Sequence, residues 1–185
     1  MIAMKNLRLL FAGWLALALP AAQAFDWMPD GVSAQVGAGG RGTNMAGAGI
    51  VWDWDFQRLR RKAELTAHTE FMVNHWRGDA SSGGGTDSLT QLVLLPSLRI
   101  RLSRGASPWF IELGIGASWM DERFETPRKR FGSRWNFYDM MGVGHTFGAE
   151  HEHELSLRWI HVSNAGLKKP NPGQDFLQLR YVARF

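Results

Sequence analysis

The chain has 185 residues, of which 45% are hydrophobic, with 21 glycines, 9 tryptophans, 11 phenylalanines and no cysteine. The absence of cysteine excludes a disulfide framework, and a formal net charge of +4 is too mild to argue for nucleic acid. Beyond the first residues, no stretch is apolar and long enough for a transmembrane helix.

The chain opens on "MIAMKNLRLLFAGWLALALPAAQA". Lys5 and Arg8 precede an apolar run from Leu9 to Leu19, then come Pro20 and Ala22-Gln23-Ala24. That is the layout of a secretory signal peptide over residues 1–24, cleaved after Ala24, and the run is short for a membrane anchor. Cleavage would leave one domain, residues 25–185, and lower the formal charge to +2 by removing Lys5 and Arg8.

Eight segments follow, each with one apolar face at period two. The first has Val32, Ala34, Val36 and Ala38, and the second Ala48, Ile50, Trp52, Trp54 and Phe56. The third sets Leu65, Ala67, Phe71 and Val73 against Glu64, His68, Glu70 and Asn74, with Thr69 breaking the apolar series. The fourth has Leu92, Leu94, Leu98, Ile100 and Leu102 opposite Gln91, Ser97, Arg99 and Arg101. In the fifth, Trp109, Ile111, Leu113, Ile115 and Trp119 oppose Glu112 and two glycines. The sixth has Trp135, Phe137, Met141, Val143 and Phe147, and the seventh Leu155, Leu157 and Trp159 against Ser156 and Arg158. The eighth alternates Leu177, Leu179, Tyr181, Ala183 and Phe185 with Gln178, Arg180 and Arg184.

An even number of strands with no intervening helix predicts an all-β, eight-stranded antiparallel barrel. Its solvent follows from which face is polar. A soluble lipocalin-like barrel would bury its apolar face. Here the other face carries Glu64, His68, Glu70, Arg99, Arg101, Glu112, Arg158 and Arg180. Eight strands leave an interior just wide enough for side chains, so these predict a paired polar core. The apolar face is rimmed by tryptophan and phenylalanine, like the girdles of outer-membrane barrels, and Phe185 resembles their usual aromatic ending. The reading is a transmembrane outer-membrane barrel with both termini periplasmic. The links "GGRGT", "RGDASSGGGTD", "DERFETPRKRFG" and "NAGLKKPNPGQ" would then be extracellular, and the other three are shorter.

On that parity His161 and Ser163 face outward near the extracellular end of the seventh strand, and Asp175 does so at the start of the eighth. If Ser163 lies opposite Asp175, His161 is its diagonal neighbour. A serine hydroxyl needs an imidazole to take its proton, and the imidazole needs a carboxylate to hold its tautomer. In hydrocarbon each unpaired polar group costs several kcal/mol, which argues that three together serve a purpose. His-x-Ser alone carries little information, however, and polar residues at a strand end can simply meet lipid head groups. Asp139, outward on the sixth strand beside His161, is a rival acid. "HEHE" at His151 to Glu154 reads as a solvated turn, and His68 with Glu70 as interior salt-bridge material.

The run "IHVSNAGLKKPN" followed by "GQDF" resembles the signature of the PagL-type lipid A 3-O-deacylases, outer-membrane esterases with eight-stranded barrels. "VWDWD", "IELGIGA" and "WNFYDMMGVG" resemble the family's barrel more loosely. The resemblance implies hydrolysis, without a cofactor or metal, of the acyl ester at position 3 of lipid A. His161 would be the base and Ser163 the nucleophile, with Asp175 where the family usually has glutamate and Asp139 as alternative or support. Asn164, Gly166 and Asn171 are oxyanion candidates, and Lys168 and Lys169 could meet lipid A phosphates. The expected partners are lipopolysaccharide and the outer membrane, with no nucleic acid and self-association into a homodimer left open. The rival function is a structural or adhesive barrel without catalysis.

Overall fold

The computed structural model describes residues 27–81 and 84–185, so the expected signal peptide lies outside the described residues. Eight long strands close a ring: β1 (Gly31–Gly39), β2 (Asn44–Leu59), β3 (Ala63–Asp79), β4 (Thr86–Leu102), β5 (Trp109–Met120), β8 (Trp135–Phe147), β9 (His153–Ser163) and β10 (Gln174–Arg184). The strands β6 (Glu125–Thr126) and β7 (Lys129–Arg130) form a small separate hairpin within the link from β5 to β8. Every ring pair is antiparallel, and β1 closes against β10 from Gly31↔Arg184 to Gly39↔Phe176. Closure leaves the ring no unpaired edge, the condition for a β-structure to cross hydrocarbon.

The strands are less uniform than alternation alone suggests. β3 and β4 each run 17 residues, because Arg77–Asp79 and Thr86–Asp87, expected in a loop, continue the ladder. Between Asp53 and Gln57 the β2–β3 register shifts at a bulge. Thr69, which breaks the apolar series, accepts a hydrogen bond from Trp54 Nε1 at 2.9 Å and so is satisfied on the outer wall.

The outside is an apolar band: Val36, Leu94, Ile111, Leu157 and Leu177 are each about half exposed. Trp109, Phe147 and Phe185 ring the end that carries the termini, and Trp135 stands at the other. An exposed apolar surface of this extent is stable in lipid rather than in water.

The interior divides along the barrel axis. Toward the termini it is ionic, as the charged parity predicts. Arg158 bridges Glu112 (2.7 Å) and Glu70 (3.1 Å), Arg180 joins Glu70 (2.9 Å), and Arg99 joins Glu154 (2.5 Å) and Glu112 (3.4 Å). Arg184 pairs with Glu154 and with Asp53 at the mouth. Glu154 of "HEHE" therefore belongs to this core, whereas His151 is exposed. His68 makes no ion pair with Glu70, whose oxygens are taken by Arg158 and Arg180.

The other half corrects the expectation of a wholly polar core. Trp76 packs edge-on against Phe176 (4.6 Å) and Phe124 (5.3 Å), with Phe131, Met72, Tyr138, Ile160 and Val162 around it. Phe124 and Phe131 come from the β5–β8 link, where the Phe131 N–H donates to the Phe124 carbonyl at 2.9 Å. Burying each such ring is worth about 1.5–3 kcal/mol, enough to hold this link down over the barrel mouth. That folded-in link is what the site below is built against.

Candidate active site

In β9, Ile160 and Val162 point into the apolar half of the barrel, so alternation turns Trp159, His161 and Ser163 outward. In β10, Gln174 and Phe176 are inside and Asp175 is outside. The register places Asp175 directly opposite His161, two residues from the expected pairing with Ser163. A ten-residue link separates the two strands, and such a link does not fix register as a tight turn does.

The consequence is direct contact. His161 Nδ1–H donates to Asp175 Oδ1 at 2.7 Å, a charge-assisted geometry. With Nδ1 carrying the proton, Nε2 presents its lone pair and can accept another. Asp139 also pairs with His161, across the β8–β9 ladder, but makes no hydrogen bond to it. The Trp159 indole stacks on the imidazole with centroids 5.8 Å apart and planes inclined by 18°. On the ring's edge lies Gly173, whose φ is +65° and whose Cβ, were one present, would stand 2.8 Å from His161 Cε1. Indole, carboxylate and glycine together fix the plane of the imidazole.

Ser163, opposite Phe137 on β8, is only 9% exposed. Its Oγ accepts a hydrogen bond from the Ala165 N–H at 3.4 Å, and it makes no hydrogen bond to His161. Ala165 (φ +52°) and Gly166 (φ +77°) are both left-handed, which bends the chain back so that this N–H faces the hydroxyl.

Asn164, one oxyanion candidate, is spent on the loop itself. Its N–H donates to Asn171 Oδ1 (3.0 Å), and its Nδ2 donates to Ser133 Oγ (2.9 Å) and the Lys168 carbonyl (2.7 Å). Its Oδ1 accepts from the Gly166 N–H at 3.1 Å, so that donor too is engaged. Asn171 accepts through Oδ1, and its Nδ2 donates no hydrogen bond among the described residues. The Ala165 N–H, which already faces the Ser163 hydroxyl, and Asn171 Nδ2, which has no other acceptor among the described residues, are thus the candidate donors.

Three connections tie this loop to the β5–β8 link. Lys129 Nζ donates to the Gly173 carbonyl (2.7 Å) and to Gln174 Oε1 (3.0 Å), and the Gly132 N–H donates to the Pro170 carbonyl (2.7 Å). The third is Asn164 Nδ2 to Ser133 Oγ. Gly132 comes so close that a Cβ there would meet the Lys169 carbonyl at 2.6 Å. Lys129, Ser133, Ala165 and Gly173 thus support the site. Sequence spacing gives no sign of the first two, which reach it across more than thirty residues.

At each outward position the groups have a definite chemical capacity: a carboxylate on an imidazole, a shielded hydroxyl two residues on, and N–H donors beyond it. Among the described residues no group of histidine, aspartate or glutamate is arranged to hold a metal.

Comparison with known proteins places the chain in one family. The family model described as "Lipid A 3-O-deacylase (PagL)" matches residues 44–184. The chain is similar to the lipid A deacylase PagL of Pseudomonas aeruginosa, 34% identical over 164 residues, covering 86% of each chain. It is similar to the lipid A deacylase PagL of Bordetella bronchiseptica, 33% identical over 184 residues, covering 98% of this chain and 97% of that one. The crystal structure of "the outer membrane enzyme PagL" superposes with a TM-score of 0.72 at 29% identity, over 84% of this chain and 99% of that one.

Proposed function

The chain belongs to the PagL family of lipid A 3-O-deacylases, and from that premise we propose that it removes the 3-linked acyl chain of lipid A at the outer face of the bacterial outer membrane. The observation that carries the residue-level reading is the His161–Asp175 hydrogen bond on the lipid-facing wall, two residues below Ser163. Nothing in barrel stability calls for an imidazole and a carboxylate there, where desolvating them is costly.

The reaction follows from the roles these groups can take. The acyl chains of the substrate lie along the apolar wall beside Met141, Trp159 and Leu177, which bring the ester to the height of Ser163. His161 Nε2 takes the Ser163 hydroxyl proton as Oγ attacks the ester carbonyl, and Asp175 stabilises the imidazolium through Nδ1. The Ala165 N–H and Asn171 Nδ2 donate to the oxyanion. Collapse expels the sugar hydroxyl, which takes the proton back from His161, and leaves an ester on Ser163. Water, deprotonated by His161, then releases the fatty acid and restores the serine. Aspartate, one methylene shorter than the family's glutamate, still reaches the imidazole because the register sets it directly opposite.

The test is mass spectrometry of lipid A from cells expressing the native chain, Ser163→Ala or His161→Ala. The native chain is expected to remove one hydroxyacyl group. Each variant is expected to leave lipid A intact while keeping the heat-modifiable gel mobility of a folded barrel. Deacylation by both variants would overturn the assignment.

A further inference from the structure

The extracellular rim is electrically lopsided, and the lopsidedness is centred on the site. Four exposed cations, Arg128 and Arg134 from the β5–β8 link and Lys168 and Lys169 from the β9–β10 loop, have no ion-pair partner among the described residues. They stand on the two loops that Lys129, Gly132 and Ser133 sew together directly above Ser163. Lys168 is further fixed through its backbone, both its N–H and its carbonyl being bonded to the Asn164 side chain. Across the mouth, the cleft between the β3–β4 hairpin and the start of the β5–β8 link is lined by four carboxylates, Asp79, Asp87, Glu122 and Glu125, against one cation, Arg123, and Glu125 also pairs with Arg130.

Positive charges left unpaired on a braced frame, with acids outnumbering cations in the far cleft, make a fixed field that draws an anion toward the serine side of the mouth. Guanidinium and ammonium groups together suit a phosphate monoester, which offers several acceptor oxygens and close to two negative charges. Lipid A is a phosphorylated glucosamine lipid, so a substrate whose ester reaches Ser163 from the membrane would hold its sugar phosphate at the height of these loops.

We propose that Arg134, Lys168 and Lys169, with Arg128 at the hairpin tip, form a phosphate subsite that selects phosphorylated lipid A and orients its sugar over Ser163. This rests on the function proposed above. The subsite supplies binding rather than chemistry, so its loss raises KM far more than it lowers kcat.

Two measurements separate this proposal from the function it rests on. The first is binding of Ser163→Ala protein, in neutral detergent micelles, to bisphosphorylated lipid A and to enzymatically dephosphorylated lipid A. The second is hydrolysis of the same two lipids by the native chain and by Lys168→Gln/Lys169→Gln and Arg134→Gln. The native protein is expected to prefer the phosphorylated lipid by about tenfold in KM, a preference that weakens with salt, shrinks below about twofold in Lys168→Gln/Lys169→Gln and is reduced in Arg134→Gln. Lys168→Arg/Lys169→Arg is expected to retain it, which a general loss of loop structure would not allow. Equal binding and equal KM for the two lipids would overturn the subsite while leaving the esterase standing. Phosphate-dependent binding without hydrolysis by the native chain would support the subsite and overturn the esterase.

Discussion

Carboxylates occur in two settings in this barrel, and they differ in partner as much as in place. Glu70, Glu112 and Glu154 lie inside, at most 2% exposed, and each meets at least two guanidinium groups. Asp175 lies outside, 56% exposed, against a single imidazole. Arginine keeps its proton under all ordinary conditions, so the interior network can hold the barrel closed but cannot move a proton. An imidazole can take and return a proton at Nε2 while Nδ1 stays bonded to a carboxylate, so the outer pair can. Two sets of acid–base contacts, similar in length, are therefore suited to opposite tasks.

The largest effect that would sharpen this contrast is at Asp175. Asp175→Asn preserves shape but favours the wrong imidazole tautomer, and is expected to lower kcat by about 10³–10⁴-fold. Because the pair lies outside the barrel, apart from the interior ion network, and asparagine can still accept the imidazole N–H through its amide oxygen, barrel stability should move by no more than one hydrogen bond, about 1 kcal/mol. A chemical denaturation curve in detergent, run beside the lipid A assay, checks both numbers. Glu70→Ala should do the reverse. It leaves Arg158 and Arg180 each short of a partner in the core, and is expected to cost about 3–5 kcal/mol of stability while the rate per folded molecule stays within twofold. If Glu70→Ala reduced the rate of folded protein as Asp175→Asn does, the division of labour would be wrong. The smallest effect is expected at Asp139, opposite His161 but not bonded to it, where Asn should cost less than about fivefold in kcat. A loss at Asp139 matching that at Asp175 would make it the orienting acid.

How much of this was legible in the sequence follows from the range of each interaction. Side-chain parity is local, so the outward direction of His161 and Ser163, and the inward direction of Glu70, Arg99, Glu112, Arg158 and Arg180, can be read from period-two alternation. Register is not local when a long loop intervenes, and Asp175 pairs with His161 rather than Ser163. Near the mouth parity itself becomes ambiguous: Leu92, Val93, Leu94 and Leu95 are apolar on both faces, because the wall meets lipid outside and the Trp76 cluster inside. The engagement of Asn164 with Ser133, and of Lys129 with Gly173, depends on a link folding into the mouth, which no short motif encodes.

The central claim, that the outward Ser163 is the nucleophile and the His161–Asp175 pair activates it, can be tested without lipid A. The native chain in detergent would be treated with a long-chain alkyl fluorophosphonate, which phosphonylates activated serines, and its intact mass and peptides read by mass spectrometry. The account predicts one adduct per chain, on the peptide containing Ser163, absent in Ser163→Ala and formed at least about 10²-fold more slowly in His161→Ala. An adduct on another serine, or equal labelling of native and Ser163→Ala protein, would contradict it.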